Sequence, residues 1–158
     1  MSNYITNVLS VFGEESELAN IINSVKPIDD LESENFSIEN YYPTGDEDWY
    51  NWRIDNWGTK WDAFEVSEYY DDSDNFKIAF FTANATPIGA LIKLSELFPN
   101  VEVSCIYSGD DFGIYCGEYS IKNGEVVYSN HYIKPTPVSI DFSKNIFRMA
   151  KSLWNTFF

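Results

Sequence analysis

Residues 49–63 read Trp49-Tyr50-Asn51-Trp52-Arg53-Ile54-Asp55-Asn56-Trp57-Gly58-Thr59-Lys60-Trp61-Asp62-Ala63 and hold four of the five tryptophans of the chain. The spacing of Trp49, Trp52, Trp57 and Trp61 puts large rings on one side of a short helix and carries them through a turn into a strand. Gly58 suits the left-handed residue that ends such a helix, because it has no Cβ to clash. A buried indole removes a large apolar area from water, and its N–H then needs an acceptor. The segment therefore reads as a structural helix–turn–strand joint in which Trp49, Trp52, Trp57, Gly58 and Trp61 build the core.

Working outward, residues 27–48 are the least patterned and carry Asp29, Asp30, Glu32, Glu34, Glu39, Asp46, Glu47 and Asp48. With the tryptophans they form an acidic insert over 27–60, in which Asp46 to Asp48 are placed to cap the tryptophan helix. Ahead of the insert, residues 4–12 read as a strand. Glu14-Glu15-Ser16-Glu17 then opens a helix whose Leu18, Ile21, Ile22 and Val25 recur at helical spacing. Behind the insert, strands are expected over 61–70 and 76–83, joined by a polar turn from Asp71 to Asn75. Pro87 fits the first turn of a helix with Ile88, Leu91, Ile92, Leu94, Leu97 and Phe98 on its apolar face, ended by Pro99-Asn100. Strands at 101–107, 112–122 and 125–132 follow, the last two joined by Asn123-Gly124, where both residues tolerate positive φ. A plain two-residue turn there sets Tyr119 opposite Tyr128 and Cys116 opposite His131. Pro135 and Pro137 read as a stiff linker, followed from Asp141 by an amphipathic helix.

This order is the ferredoxin-like one. The fold expected is α+β: an antiparallel sheet of about six strands in the order 6-5-4-1-3-2, two helices on one face, and an added C-terminal helix. Residues 1–133 form the domain, and 134–158 the linker and last helix. The reverse face of the sheet needs cover, and the last helix is the first candidate for it. Its apolar face is otherwise free for a homodimer contact.

Hydrophobic residues make up 44% of the chain and aromatics 18%, ample for a core. No apolar run is long enough to span a membrane, and Met1-Ser2-Asn3-Tyr4 is not a secretory signal. Two cysteines without an export signal point to a reduced, cytoplasmic setting. The net charge of −15 is uneven: residues 1–75 carry eighteen acids against Lys26, Arg53 and Lys60, while 134–158 carry four cations against Asp141. Nucleic-acid affinity comes largely from cations displacing counterions, so direct DNA or RNA binding is not expected.

Asn56-Trp57-Gly58-Thr59-Lys60-Trp61-Asp62-Ala63 resembles the N-W-G-T-K-W segment of the YubB-type ferredoxin-like family of plasmid, phage and bacterial proteins. Phe80-Phe81-Thr82-Ala83, Pro87, Phe98-Pro99, Gly117-Glu118-Tyr119 and Asn123-Gly124 fit that family in order, over roughly residues 4–130. The resemblance implies a ferredoxin-like fold and an association with mobile elements. It implies no reaction and no catalytic residue.

Several groups carry candidate chemistry. Asn56, Thr59, Lys60 and Asp62 mix amide, hydroxyl, ammonium and carboxylate groups around a glycine turn, which suits a ligand pocket or, more simply, turn capping and a Lys60–carboxylate pair. Cys116 and His131, as cross-strand neighbours with Glu118 nearby, permit a Cys–His pair. His131 is the only histidine and no further ligands fall at metal spacing, so no metal or cofactor is expected. Asp71, Asp72 and Asp74 start like a calcium loop but lack its downstream glycine and glutamate.

The function expected is that of a non-enzymatic acidic module of a mobile genetic element. Its carboxylates imitate a nucleic-acid backbone and cover a basic surface of a host or defence protein. The partner-binding residues expected are Asp29, Asp30, Glu32, Glu34, Glu39, Asp46, Glu47, Asp48, Glu65, Glu68, Asp71, Asp72 and Asp74. The alternatives are a small-molecule or nucleotide-binding domain using residues 56–62, and a structural homodimer.

Overall fold

A strand of nine residues, β1 (Tyr4–Phe12), runs through the middle of the molecule and is buried on both sides. The computed structural model describes residues 3–26, 35–45 and 48–155. After β1 come α1 (Glu15–Val25), α2 (Ile38–Tyr41), α3 (Trp49–Asn56), β2 (Tyr70–Asp71), β3 (Asn75–Ala83) and α4 (Ile88–Leu97). Then follow β4 (Glu102–Ser108), β5 (Cys116–Lys122), β6 (Glu125–Tyr132) and α5 (Pro137–Trp154). The sheet order is β2-β3-β1-β4-β5-β6, with every neighbouring pair antiparallel. β2 and β6 are therefore its two outer edges.

Because side chains alternate across a strand, β1 feeds two cores. Ile5, Leu9 and Val11 pack with Leu18, Ile21 and Val25 of α1, with Leu91 and Leu94 of α4, and with Trp57. Val8 and Ala79 on the reverse face pack against Ile146, Ala150 and Leu153 of α5. Burying an Ile or Leu side chain contributes roughly 1.5–3 kcal/mol, which is why an amphipathic helix seats on that face. Polar bonds fix its position. Ser108 Oγ and Gly113 N both donate to Ser143 Oγ at 2.9 Å, and Trp154 Nε1 donates to the Glu65 carbonyl at 2.5 Å.

The α+β class, the antiparallel sheet and the C-terminal helix stand as the sequence suggests, and four details differ. Residues 61–69 do not form a strand: only Phe64 bridges to Phe81, and pairing resumes at Tyr70–Asp71. Asp62 turns inward to bind another loop, and Glu65 takes a left-handed φ of 50°, so the chain leaves the ladder twice. The stiff linker is shorter than expected, because Thr136 caps a helix that begins at Pro137. Its hydroxyl accepts from Ser139 N at 3.1 Å while Ser139 Oγ accepts from Thr136 N at 2.8 Å.

The β5–β6 register also differs. Ile121 pairs with Val126 but Ser120 pairs with Tyr128, so an extra residue on β6 shifts everything beyond it. Cys116 then lies opposite Tyr132, and His131 lies opposite Gly117. Finally, only Trp57 of the four clustered tryptophans is a core residue. Trp52 is half-buried against it, while Trp49 and Trp61 are 46% and 40% exposed. α3 lies on the surface and buries none of its residues fully, so its first-turn ring stays in water.

Candidate functional site

The insert is built around two charged side chains that point inward. The Asp62 carboxylate accepts from Ile38 N at 2.7 Å, Glu39 N at 3.1 Å, Ser37 Oγ at 2.9 Å and Ala63 N at 2.7 Å. It thus satisfies orphan amides at the start of α2. Burial raises the Asp62 carboxyl above its ordinary range, and these donors oppose the rise. The Arg53 guanidinium stacks 4.6 Å from the Trp57 ring centroid and 5.0 Å from that of Trp49. It donates to Thr44 Oγ1 at 3.0 Å and to the Lys60 carbonyl at 3.3 Å, and pairs with Glu39 at 3.9 Å.

The residues expected to line a ligand pocket are used in the same way. Thr59 is buried and donates to the Ala83 carbonyl at 2.9 Å; Asn56 donates to the Trp52 carbonyl at 2.9 Å and accepts from Tyr42 Oη at 3.1 Å. Lys60 Nζ lies 4.7 Å from the Trp61 ring centroid, and among the described residues it makes no ion pair with a carboxylate. Trp57 Nε1 donates to the Tyr42 carbonyl at 2.9 Å. Asn56, Thr59 and Asp62 therefore tie the insert to the sheet and to α2. They do not converge on a shared space.

Cys116 and His131 lie on opposite faces of the sheet. Cys116 is buried beneath α5, with Sγ 3.8 Å from the Ser139 carbonyl. His131 Nδ1 instead meets the Tyr107 hydroxyl, across a strand where Gly117 leaves room for the phenol. A Cβ on Gly117 would come within 2.7 Å of Tyr107 Oη and would overlap the Asn130 carbonyl. Cys105 faces the other core, where burial pushes its thiol up to about 12. It sits 3.9 Å from Thr86 Oγ1, in a buried set in which Thr86 Oγ1 also meets Asn7 Oδ1 at 2.9 Å and Tyr119 Oη at 2.7 Å. These contacts satisfy each other, and among the described residues no three His, Cys, Asp or Glu side chains gather as a metal set.

The acidic residues divide into three groups. Asp29, Asp30, Glu32, Glu34, Asp46 and Glu47 lie outside the described residues. Glu39 and Asp48 serve the insert. Glu39 accepts from Thr44 Oγ1 at 2.6 Å, and Asp48 is the first residue before α3 and accepts from Asn51 Nδ2 at 2.7 Å, not from a backbone amide of the helix. Glu65, Glu68, Asp71, Asp72 and Asp74 are exposed along the β2 side of the sheet. Asp72 and Asp74 also shape their turn, accepting from Ser73 N and Asn75 Nδ2, both at 2.8 Å.

That turn meets the start of α1. β1 pairs with β3 so that Phe12 faces Asn75, and Gly13 N donates to the Asp74 carbonyl at 2.9 Å. An open cleft of about 450 Å³ lies between them, with Leu18, Ala19 and Ile22 on one side and Glu15, Asp71, Asp72 and Ser73 at its rim. Glu14, next to Glu15 at the start of α1, is exposed too. In the sequence this glutamate run reads only as the opening of a helix; the β1–β3 register is what brings it beside Asp71 to Asp74. Among the described residues no cation comes within ion-pair distance of Glu14, Glu15, Glu65, Asp71, Asp72 or Asp74.

No family model matches the chain, and no curated protein matches it. A crystal structure of protein api92 from Yersinia pseudotuberculosis (DUF1281) is similar to it, with 20% identity and a TM-score of 0.47. The similarity covers 59% of this chain and 33% of that one, so the matched region is a third of the length of api92. Among the described residues no helix is long and apolar enough to cross a membrane.

Proposed function

We propose that this chain is a non-enzymatic, acidic protein-binding module of ferredoxin-like fold, carried by a phage, plasmid or related element and acting in the cytoplasm. Its carboxylates stand in for a nucleic-acid backbone and occupy a basic groove on a host or defence protein. The observation that carries this reading is the acidic rim of the α1–β2 cleft. Glu15, Asp71 and Asp72 line that cleft, and Glu14 and Asp74, next to the Gly13 N–Asp74 carbonyl bond, are exposed as well, with no internal cation to neutralise the five among the described residues. Leaving like charges together costs stability through repulsion, and a cationic partner removes that cost. The Asn56–Ala63 resemblance supports the mobile-element setting. The apolar floor of Leu18 and Ile22 adds an anchor for the stem of a lysine or arginine.

The test is affinity capture from a bacterial lysate with the wild-type chain and with the variant Glu15→Gln/Asp71→Asn/Asp72→Asn/Asp74→Asn. A basic protein retained by the wild type at about 50 mM salt, released at about 500 mM, and not retained by the variant is the result expected. Retention of the same proteins by both chains would reject the role given to this rim.

A further inference from the structure

The other edge of the sheet has the opposite character. β6 is an outermost strand of eight residues whose far side pairs with nothing among the described residues. Such an edge presents a row of free backbone N–H and C=O groups, and soluble proteins commonly blunt it with lysines, prolines, bulges or cover; the bulge of β6 lies at Val126-Val127, near its turn end, and the ladder from Tyr128 to Tyr132 is regular. Here the only charge within the strand is Glu125, at its turn end, and no lysine or proline lies between 125 and 133. The strand exposes apolar side chains instead. Val126 is 42% exposed, Val127 57%, Tyr128 53% and the following Ile133 67%.

We propose that β6 pairs antiparallel with β6 of a second copy, joining two sheets into one continuous twelve-stranded sheet. Two arguments select a second copy as the occupant. The first is self-complementarity. Facing residues in an antiparallel pair must share a face, so a two-fold axis passes through a residue and joins positions of like parity. With the axis at Asn130, Tyr128 of each copy faces Tyr132 of the other, within the regular part of the strand, and the exposed Val127 and Ile133 flank that stretch. Tyr132 is already held in place by its contact with Phe142 of α5, 5.4 Å between ring centroids. Aromatic cross-strand pairs of this kind stabilise sheets.

The second argument is electrostatic. A chain of net charge −15 resists self-association wherever its acids face each other. Strands are spaced roughly 4.8 Å apart, so β2 lies about 24 Å from β6 across the sheet. Pairing through β6 sends the two acidic cleft regions to opposite ends, about 50 Å apart, several times the Debye length of about 8 Å at physiological salt. Within β6 the one acid, Glu125, lies at the turn end, five residues from the axis at Asn130, and Glu118 of the neighbouring strand accepts from Tyr128 Oη at 3.1 Å. α5 does not compete for this role, because its Ile146, Ala150 and Leu153 are spent on the reverse face of its own sheet.

The test is sedimentation velocity of the full chain from low micromolar to submillimolar concentration, with hydrogen exchange read at β6. Wild type is expected to dimerise, with the β6 amides gaining protection as concentration rises. Val127→Lys and Ile133→Lys alter exposed side chains, so each is expected to keep the wild-type unfolding midpoint at concentrations where the wild type is monomeric, while weakening the dimer at least tenfold. A chain that stays monomeric throughout, or a dimer that neither substitution weakens, would overturn the proposal.

Discussion

Replacing Gly89 with alanine sets two effects of opposite sign against each other. Gly89 is the second residue of α4, and alanine is favoured over glycine in a helix by up to about 1 kcal/mol. On propensity alone the variant gains stability. The structure opposes this, because an added Cβ would overlap the Asn56 carbonyl oxygen and lie 2.9 Å from its carbon and 3.2 Å from the Trp57 carbonyl carbon. Those atoms are backbone and are pinned on both sides. Ala90 N donates to the Trp57 carbonyl at 3.1 Å, and the Trp57 indole is buried with its N–H on the Tyr42 carbonyl. Overpacking a site that cannot yield costs about 1–3 kcal/mol or more, so a net loss of roughly 1–2 kcal/mol is expected. Urea unfolding followed by far-UV circular dichroism measures it, with an unchanged slope showing that two-state unfolding persists. Trp57→Phe, which shortens the ring and removes its N–H, loosens the same joint, so Gly89→Ala should cost at least about 0.5 kcal/mol less in that background. A Gly89→Ala midpoint at or above that of the wild type would refute the claim that the α3–α4 contact is a fixed backbone approach.

Further outcomes are specific to single groups. Asp62→Ala strands four donors at the start of α2 and at Ala63 and should cost about 2–3 kcal/mol in the same urea assay, with Asp62→Asn losing less because one acceptor oxygen remains. Cys105 and Cys116 are both buried, so neither should react with an aromatic disulfide reagent in the folded protein, and both should react once it is unfolded in denaturant. Burial holds the hydroxyls of Tyr41 and Tyr119 well above their ordinary value, so the stability they contribute is present below about pH 10 and is lost as pH rises toward their folded values. Absorbance titration should therefore show these two phenols ionising together with alkaline loss of secondary structure, whereas smooth ionisation in an intact fold would refute their placement.

β1, α1, α4 and β4 were readable because each carries its own periodic pattern and its own stop signal, such as Gly13 after β1 or Pro99-Asn100 after α4. The tryptophan segment was readable only as a joint. Four indoles at helical spacing suggest four core rings, but α3 lies on the surface, and only Trp57, after its end, reaches the interior. Asp62 looks like a strand residue because its true partners, Ile38 and Glu39, lie more than twenty positions upstream. The Cys116–His131 neighbourhood failed on one extra residue in β6, which reverses the face of every residue after it and leaves no mark in the sequence beyond Val126-Val127. The start of α5 was present in Thr136-Pro137-Val138-Ser139, a capping box with proline in the first turn, but the paired prolines masked it as a linker. The charge asymmetry was plain from composition. Its concentration around the α1–β2 cleft depends on the β1–β3 register, which joins residues 12 and 75.

The most direct measurement of the acidic rim's role is calorimetric titration of the captured basic partner into this protein over a series of ionic strengths. With carboxylates at the α1–β2 cleft meeting cations on the partner, affinity should fall steeply as salt rises, and neutralising Glu15, Asp71, Asp72 and Asp74 should flatten that slope while the far-UV circular dichroism of the folded chain is retained. An affinity that does not change with salt, or a slope that the neutralised chain reproduces in full, would contradict it.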